Sequence, residues 1–295
     1  MVRYKLIFLT GRGPAECARQ LFALADQEYE DVRLSRKEFH AMIGGVPFGQ
    51  LPVLEVDGKL LTQTMAINRF LARTFAYLQG NGSLQADFSH WAWTRRMCSS
   101  GQLFIRVLFA LAGQEYEDVR LSRAEFHAMI GGVPFGQLPV LEVDGKLLTQ
   151  TMAINRFLAR TFGFAGKTLF EAALVDSLGD RYTIYRERIS PYYSSVLSRK
   201  PANVIKKLKK EVLLPAREKF FGSLTIFLKG NSVNGYLVGD SITWMDVLIA
   251  EHAAEFSDRV PEFLDGFPEI EAHMQKVRST PNLKKWIENR PVTPF

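Results

Sequence analysis

The chain has 295 residues, 47% of them hydrophobic and 23% charged, so it is long enough for two domains and too apolar for a disordered protein. Its net charge of +6 is scattered along the sequence, which argues against a nucleic-acid-binding stripe and mildly favours small acidic ligands. Two cysteines without a CxxC motif, a charged start too short for a signal peptide and no apolar run of membrane-spanning length predict a cytoplasmic protein without disulfides.

The first part of the chain alternates strand and helix patterns. Short apolar runs indicate strands, apolar residues at helical spacing indicate helices, and Asp57-Gly58 is a strong two-residue hairpin signal. The order β-α-β-α-β-β-α predicts a thioredoxin-like α/β module. Its elements are strands 3–9, 29–34, 51–56 and 59–61, helices 14–25 and 64–75, and a weak helical turn 39–43.

A long internal repeat dominates the organisation. Residues 21–75 reappear at 108–162, and they differ only by Gly113 for Asp26 and Ala124 for Lys37. Two such similar copies indicate duplication of a coding segment, either as a selected two-copy architecture or as a duplicated exon or gene-model join. The first strand has no clear counterpart in the second copy, where residues 90–94 are only weakly strand-like. We therefore expect the second module to be incomplete.

After residue 162 every predicted element is helical. Capping boxes at Thr168/Glu171 and Thr243/Asp246 mark two helix starts, and Ile242 is placed as a hydrophobic staple. Helices are predicted over 168–188, over 203–228 with a bend or split at Pro215, over 269–277 and over 283–290.

General catalytic motifs are absent from the sequence. It contains no GxGxxG after a strand, no P-loop, no GxSxG and no HExxH. The five histidines show no metal-ligand spacing, so no metal site is predicted.

Two motifs carry a resemblance to a known family. The first is PFGQLPVLEVDG over 47–58, followed by LTQTMAI over 61–67, and the second is GDSITWMD over 239–246. These residues resemble the glutathione S-transferases, most closely the sigma class in its nematode-like form. The resemblance covers 4–75 and about 163–295, and it makes the second copy a repeat of the family's glutathione-binding module.

The resemblance implies how glutathione, the substrate, is held. The peptide bond before Pro52 is expected to be cis, which turns the backbone of Leu51 toward the cysteinyl backbone of glutathione like an added strand. Gln63 and Thr64 open a helix whose amides suit the γ-glutamyl carboxylate, and Gln50 helps to hold the tripeptide. The implied binding residues are Phe39, Gln50, Leu51, Pro52, Gln63 and Thr64, with Phe126, Gln137, Leu138, Pro139, Gln150 and Thr151 as their duplicates.

The catalytic position departs from the family pattern. The resemblance implies a tyrosine in the first strand that donates to the glutathione sulfur, and the matching residue is Phe8, which has no hydroxyl. Thr10, two residues on, is a weak candidate for a substitute donor. At the repeat offset of 87, the counterpart of Phe8 in the second copy is Arg95.

Other contacts implied by the family are also replaced. Pro14 stands where the family often has an arginine, Phe39 where it has a tryptophan, and Ile43 where it commonly has a lysine. The carboxylate that reaches across the family's dimer aligns with Ile184, and Asp180 is the nearest acid on that helix. Most polar contacts to glutathione are therefore missing, whereas the backbone clamp at Leu51 is retained.

The resemblance predicts four segments. They are a glutathione-binding module over 1–78, a linker over 79–103, a partial second module over 104–163 and an all-α domain over 164–295. We hypothesise that the second module docks on the helical domain, because residue 162 runs directly into the short linker 163–166. The first module would then sit apart or lend its strand to the second.

Three functions follow from these residues. The resemblance implies a glutathione transferase for small apolar electrophiles and detoxification, impaired by Phe8. The alternatives are a non-catalytic glutathione-binding or crystallin-like descendant and a partly folded product of a duplicated segment. A homodimer is implied, with Phe48 as the aromatic key at its interface and Phe135 as the duplicate. The electrophile pocket would lie in the helical domain, where Tyr182, Tyr185 and Arg186 either line it or belong to core or surface.

Overall fold

The computed structural model describes residues 2–11, 13–78, 95–98, 103–121 and 123–290. The chain divides into two compact units, Met1–Gln85 with Lys167–Gly230 and Ala86–Gly166 with Asn231–Phe295. Each unit therefore combines one α/β module with a different part of the helical region. None of the helices in the described ranges is both long and apolar enough to cross a bilayer.

The α/β module of the first unit comprises β1 (Tyr4–Leu9), α1 (Glu16–Leu24), β2 (Glu30–Leu34), α2 (Arg36–Met42), β3 (Val53–Val56), β4 (Lys59–Thr62) and α3 (Thr64–Leu78). Its strands form a four-stranded mixed sheet in the order β2-β1-β3-β4. Strand β1 runs parallel to β2 and antiparallel to β3, so it lies at the centre of the sheet. Since side chains alternate along a strand, Tyr4, Leu6 and Phe8 enter one core while Ile7 joins Val53 on the other face.

Helix α2 begins earlier than the turn predicted at 39–43. Ser35 Oγ accepts from the backbone N–H of Glu38 at 3.3 Å, and the Glu38 carboxylate accepts from the N–H of Ser35 at 2.7 Å. Hydrogen bonding to Ser35 lowers the pKa of Glu38, as expected for a carboxylate in a capping box. This pair supplies a start signal that the sequence analysis missed.

The helices of the first unit are α7 (Leu169–Leu197), α8 (Ala202–Leu208) and α9 (Leu214–Gly230). Helix α7 continues through Pro191, beyond its predicted end, because Ile189, Tyr192 and Ser195 on its inner face are buried. Packing of that face offsets the roughly 3 kcal/mol that an internal proline costs. The predicted split near Pro215 is confirmed, since a π-helical turn (Lys209–Leu213) separates α8 from α9.

The first module docks on α7 through α3 and β4. Arg69 pairs with Asp176 at 3.1 Å and with Asp180 at 2.7 Å, and the hydroxyls of Thr62 and Ser177 lie 3.3 Å apart. The hypothesis that the first module sits apart or lends its strand is therefore wrong. Strand β1 pairs within its own sheet, and the ion pairs at α3 require α7 beside it.

The α/β module of the second unit comprises β5 (Arg95–Cys98), α4 (Leu103–Leu111), β6 (Glu117–Val119), α5 (Arg123–Met129), β7 (Val140–Val143), β8 (Lys146–Thr149) and α6 (Thr151–Phe162). Its strands form a second sheet in the order β6-β5-β7-β8. The central strand β5 lies inside the predicted linker 79–103, so the expectation that this module lacks its first strand is corrected. Strands β6 and β7 each need a hydrogen-bonding partner, and residues 95–98 supply one despite their charge. The weakly strand-like residues 90–94 lie outside the described residues.

The register of β5 corrects the predicted counterpart of Phe8. Arg95 pairs with Val143 as Tyr4 pairs with Val56 in the first module, so Arg95 takes the place of Tyr4. The offset in this strand is thus 91 (95 minus 4) rather than 87, whereas the following helices keep 87. The connection from strand to helix is therefore four residues shorter in the second module.

The helical part of the second unit comprises α10 (Trp244–Ser257), α11 (Pro268–Arg278) and α12 (Pro281–Asn289). The second capping box is confirmed, because Asp246 accepts from the N–H of Thr243 at 2.7 Å and from its hydroxyl at 2.6 Å. Ile242 packs in the same cluster as Val247, the contact expected of a hydrophobic staple.

One repeated leucine is buried in the second module and exposed in the first. Leu111 is 7% exposed and packs with Val247 and Leu283, whereas its duplicate Leu24 is 79% exposed. We expect Leu111→Ala to lower the free energy of unfolding by about 2–3 kcal/mol because it leaves a cavity, and Leu24→Ala to change it by less than about 0.5 kcal/mol. Urea unfolding followed by circular dichroism measures both, and equal effects would contradict this packing of α4.

Candidate functional site

Phe8, the predicted catalytic position, is buried in the core of the first module. Its side chain is 9% exposed and belongs to the same cluster as Leu51. Its ring also faces the loop that follows β1, since a Cβ at Gly13 would lie 3.0 Å from Phe8 Cε1. Gly13 has a φ of +50°, so both conformation and space favour glycine there. The position is lined with carbon and offers no hydrogen-bond donor.

The neighbouring positions do not replace the missing hydroxyl. Thr10 is exposed, and its hydroxyl donates to the Leu34 carbonyl at 3.3 Å. Pro14 is exposed and Phe39 is half-buried against the ring of His40. Ile43 is 39% exposed. A donor to a thiolate is therefore not apparent among these four side chains.

The loop before β3 forms the polar part of the site. The Leu51–Pro52 peptide bond is cis, as the resemblance implies. Gln50 Oε1 accepts from Gln63 Nε2 at 3.3 Å, which ties this loop to the start of α3 at Thr64. Of the predicted binding residues, the structure thus brings Gln50, Leu51, Pro52, Gln63 and Thr64 to one end of the sheet.

Sequence reasoning missed Arg181 on α7. Its side chain is buried, its Nη1 donates to Gln50 Oε1 at 3.4 Å, and its guanidinium lies 5.6 Å from the centre of the Phe48 ring. Burial lowers the pKa of Arg181 from its ordinary value, and repulsion from Arg188 adds to that effect. Nothing in the sequence motif signals this contact, because it joins residues 131 positions apart.

The acidic positions on α7 are engaged within the chain. Asp180 pairs with Arg69, and Asp176 is reached by both Arg69 and Arg73. Ile184, which aligns with the family's cross-dimer carboxylate, is 42% exposed and offers no charge.

The residues considered for the electrophile pocket fall into different environments. Tyr182 and Tyr185 are each 4% exposed, and Tyr185 stacks on Phe220 with ring centroids 4.4 Å apart. Burial strongly raises the pKa of Tyr185. The guanidinium carbon of Arg186 lies 4.5 Å from the centre of the Tyr193 ring. Both tyrosines therefore belong to the helical core.

The second module repeats part of this geometry. Its Leu138–Pro139 bond is cis, and Gln150 donates to Gln137 at 3.3 Å. Both of those glutamines are exposed. Phe126 lies against His127 as Phe39 lies against His40, and Thr151 begins α6.

Phe48 and its duplicate Phe135 differ in how far they are packed against other side chains. Phe48 stacks on Phe227 with ring centroids 5.6 Å apart, whereas Phe135 is 79% exposed.

Within the described ranges, His, Cys, Asp and Glu side chains form no group of three or more that could hold a metal.

Family models match both modules and the helical region. A model of the glutathione S-transferase N-terminal domain matches residues 4–73 and again 92–160. A model of the glutathione S-transferase C-terminal domain matches residues 188–290. The second N-terminal match includes β5, in agreement with the strand that the structure places there.

Nematode proteins show the same relationship over most of their length. The chain is 50% identical over 192 residues to a probable glutathione S-transferase 5 of Caenorhabditis elegans, covering 64% of this chain and 91% of that protein. It is 42% identical to glutathione S-transferase 1 of Ascaris suum over 190 residues, again covering 64% and 91%. A crystal structure of a monomeric glutathione S-transferase from the hookworm Necator americanus is 53% identical, with a TM-score of 0.65 over 68% of this chain and 99% of that one.

Proposed function

This chain belongs to the glutathione S-transferase family of enzymes, and we propose that its first module transfers glutathione to small apolar electrophiles with reduced efficiency. The observation that carries this proposal is the hydrogen bond from Gln63 to Gln50 beside the Leu51–Pro52 bond. It sets two amide side chains and the start of α3 around one end of the sheet. Phe8 lies in the same module and supplies no hydroxyl.

Glutathione would bind through groups that remain. The Leu51 backbone would pair with the cysteinyl backbone of the tripeptide, as an added strand pairs with a sheet edge. The first amides of α3, at Thr64, would hold the γ-glutamyl carboxylate, because a helix N-terminus presents unpaired N–H groups and a partial positive charge. Gln50, Gln63 and the ring of Phe39 would border the ligand.

Thiolate stabilisation limits the proposed rate. A thiol with a pKa near 8.5 is about 7% ionised at pH 7.4, and lowering that pKa by two units raises the thiolate to about 90%. The change corresponds to about 2.7 kcal/mol, roughly the contribution of one well-placed donor. Phe8 cannot supply that donor, so weak conjugation is expected alongside retained binding.

The repeat offers a matched test of which module binds glutathione. We expect Gln63→Ala to weaken glutathione binding about 10-fold, since it removes a side chain at the polar end of the site. Gln150→Ala removes the duplicate residue and is expected to change the affinity less than about 2-fold. Isothermal titration calorimetry gives the affinities, and initial rates with a chromogenic electrophile show whether turnover follows. A larger effect of Gln150→Ala would assign the site to the second module.

The absence of a hydroxyl at Phe8 also favours a second function, that of a non-catalytic glutathione-binding or crystallin-like protein. Retention on immobilised glutathione without conjugation of any electrophile tried would support it. Failure to bind glutathione, together with non-cooperative unfolding, would instead point to a partly folded product of a duplicated segment.

Finer features of the family are part of the same proposal. Sigma-type chemistry, a detoxifying role and a cytoplasmic location are proposed on the resemblance of the two sequence motifs to that family. The resemblance also supports a homodimer. Because Phe48 stacks on Phe227 of its own chain, the exposed Phe135 is the better candidate for the aromatic key. The hookworm relative is described as monomeric, so the two assembly states are alternatives within the family.

A further inference from the structure

Arg181 is a buried cation that meets no anionic partner among the described residues. Its side chain lies on α7 with a residue exposure of 6%, and its Nε has no hydrogen-bond partner. In the part of the chain that the structure describes, no carboxylate lies within ion-pair distance of its guanidinium. The half-buried Arg69 on α3, by contrast, pairs with two carboxylates of α7, those of Asp176 and Asp180. Arg181 therefore differs from Arg69 at the same helix interface, because its charge is not matched by a carboxylate of the described residues.

Such an arrangement is costly unless something compensates the charge. Removing a guanidinium from water is unfavourable, and a neighbouring anion normally offsets that penalty. The Phe48 ring, 5.6 Å away, offers only a cation–π contact, and Arg188 on the same helix adds repulsion. The hydrogen bond that Arg181 does make is to a neutral amide oxygen, that of Gln50.

The guanidinium points into the polar end of the candidate site. Gln50 Oε1 accepts from both Arg181 Nη1 at 3.4 Å and Gln63 Nε2 at 3.3 Å, so one oxygen bridges two donors. Thr64 begins the fifteen-residue helix α3 directly after Gln63, and its N-terminal dipole favours negative charge. A ligand carboxylate would satisfy the same donors with a full charge in place of the amide dipole.

The second module provides an internal comparison. Its Gln150–Gln137 hydrogen bond has the same length as Gln63–Gln50. Both of its glutamines are exposed, and the described residues of its unit bring no arginine to Gln137. The repeated sequence alone thus builds the amide pair, and the arginine is added only where α7 packs on the first module.

We propose that Arg181, together with Gln63 and the N-terminus of α3, forms a carboxylate-binding subsite in the first unit. This inference rests on the proposed function, and it adds a specificity-determining residue from the helical region to the glutathione module. The bound carboxylate belongs either to glutathione or to an acidic electrophile, since both ligands carry that group. The site would thus favour anionic ligands, in line with the basic net charge of the chain.

Substitution of Arg181 tests the subsite. Arg181→Gln is expected to weaken glutathione binding about 10-fold by calorimetry, because it removes a charge-assisted hydrogen bond. Arg188→Gln removes the same charge from an exposed position on the same helix and should change the affinity less than about 2-fold. Arg181→Lys restores the charge and should recover part of the affinity. Unchanged glutathione binding with a raised KM for only a carboxylate-bearing electrophile would assign the carboxylate to the second substrate.

A measurement without glutathione separates this inference from the proposed function. Sodium acetate, compared with sodium chloride at equal ionic strength, should raise the melting temperature of the unsubstituted protein and not that of Arg181→Gln. This holds even if the protein binds no glutathione, an outcome that would reject the proposed function alone. An equal response of both proteins to acetate, with unchanged glutathione affinity and KM values, would overturn the subsite. A melting temperature markedly lower in Arg181→Gln without any ligand would likewise overturn it in favour of a structural role.

Discussion

Asp246→Ala is expected to lower the free energy of unfolding of the second unit by about 3–5 kcal/mol, a larger loss than that expected for Leu111→Ala. The Asp246 carboxylate is fully buried and accepts hydrogen bonds from four donors. Alanine would leave all four donors buried without their acceptor, and removing one partner of such a buried charged network costs about 3–5 kcal/mol in total. They are the backbone N–H of Leu237 at 2.7 Å, the N–H and hydroxyl of Thr243, and His273 Nε2 at 2.9 Å.

The first capping box supplies the matched control. Glu171 caps α7 in the same way, accepting from the N–H of Thr168 at 3.2 Å, but that hydrogen bond is exposed. Glu171→Ala is expected to cost only about 1 kcal/mol, because water can replace the lost acceptor. Urea unfolding followed by circular dichroism compares the two variants. Equal losses would mean that Asp246 acts only as a helix cap and not as the centre of a buried network.

The local elements of the modules were predictable because each has a local cause. The Asp57-Gly58 hairpin, the cis bond before Pro52 and the capping boxes depend on residues within a few positions of each other. Fold and family followed from the same short motifs. The strand β5 was missed because Arg95 and its neighbours have no strand pattern of their own and are recruited by β6 and β7.

The candidate site was only partly predictable, for a physical reason. Gln50 and Gln63 belong to one motif, so their juxtaposition follows from it. Arg181 reaches Gln50 only through the packing of α7 on the first module. Neither residue spacing nor local composition in the sequence predicts that contact. The same holds for Leu24 and Leu111, which lie in nearly identical sequences and differ in burial because different helices pack on them.

Phe8→Tyr is expected to raise the turnover of glutathione conjugation about 10- to 100-fold. The Phe8 Cζ atom lies 3.1 Å from the place that a Cβ of Gly13 would take, so a hydroxyl on Cζ would emerge beside the loop between β1 and α1. There it would donate to the developing thiolate, an interaction stronger for the anion than for the thiol. Glutathione affinity should change much less, because Leu51, Gln63 and Thr64 hold other parts of the tripeptide.

A hydroxyl change elsewhere on the same strand face controls for packing. Tyr4 is buried in the same cluster as Phe8, and Tyr4→Phe removes a hydroxyl far from the loop. That variant should leave turnover within about 2-fold. Steady-state kinetics with a chromogenic electrophile, combined with calorimetric glutathione affinities, measures both variants.

The outcome of Phe8→Tyr also locates the working site. Unchanged turnover with glutathione still bound would mean that Phe8 does not face the sulfur in the first module. A tyrosine at position 95, the repeat offset of 87 from Phe8, would not create the same hydroxyl in the second module. Arg95 takes the place of Tyr4 in the sheet and not that of Phe8. In the register of β5, the residue that corresponds to Phe8 is Ser99, which follows Cys98 and lies outside the described residues. A rise in turnover accompanied by an about 10-fold loss of glutathione affinity on adding Gln63→Ala, but not on adding Gln150→Ala, would place the chemistry in the first module.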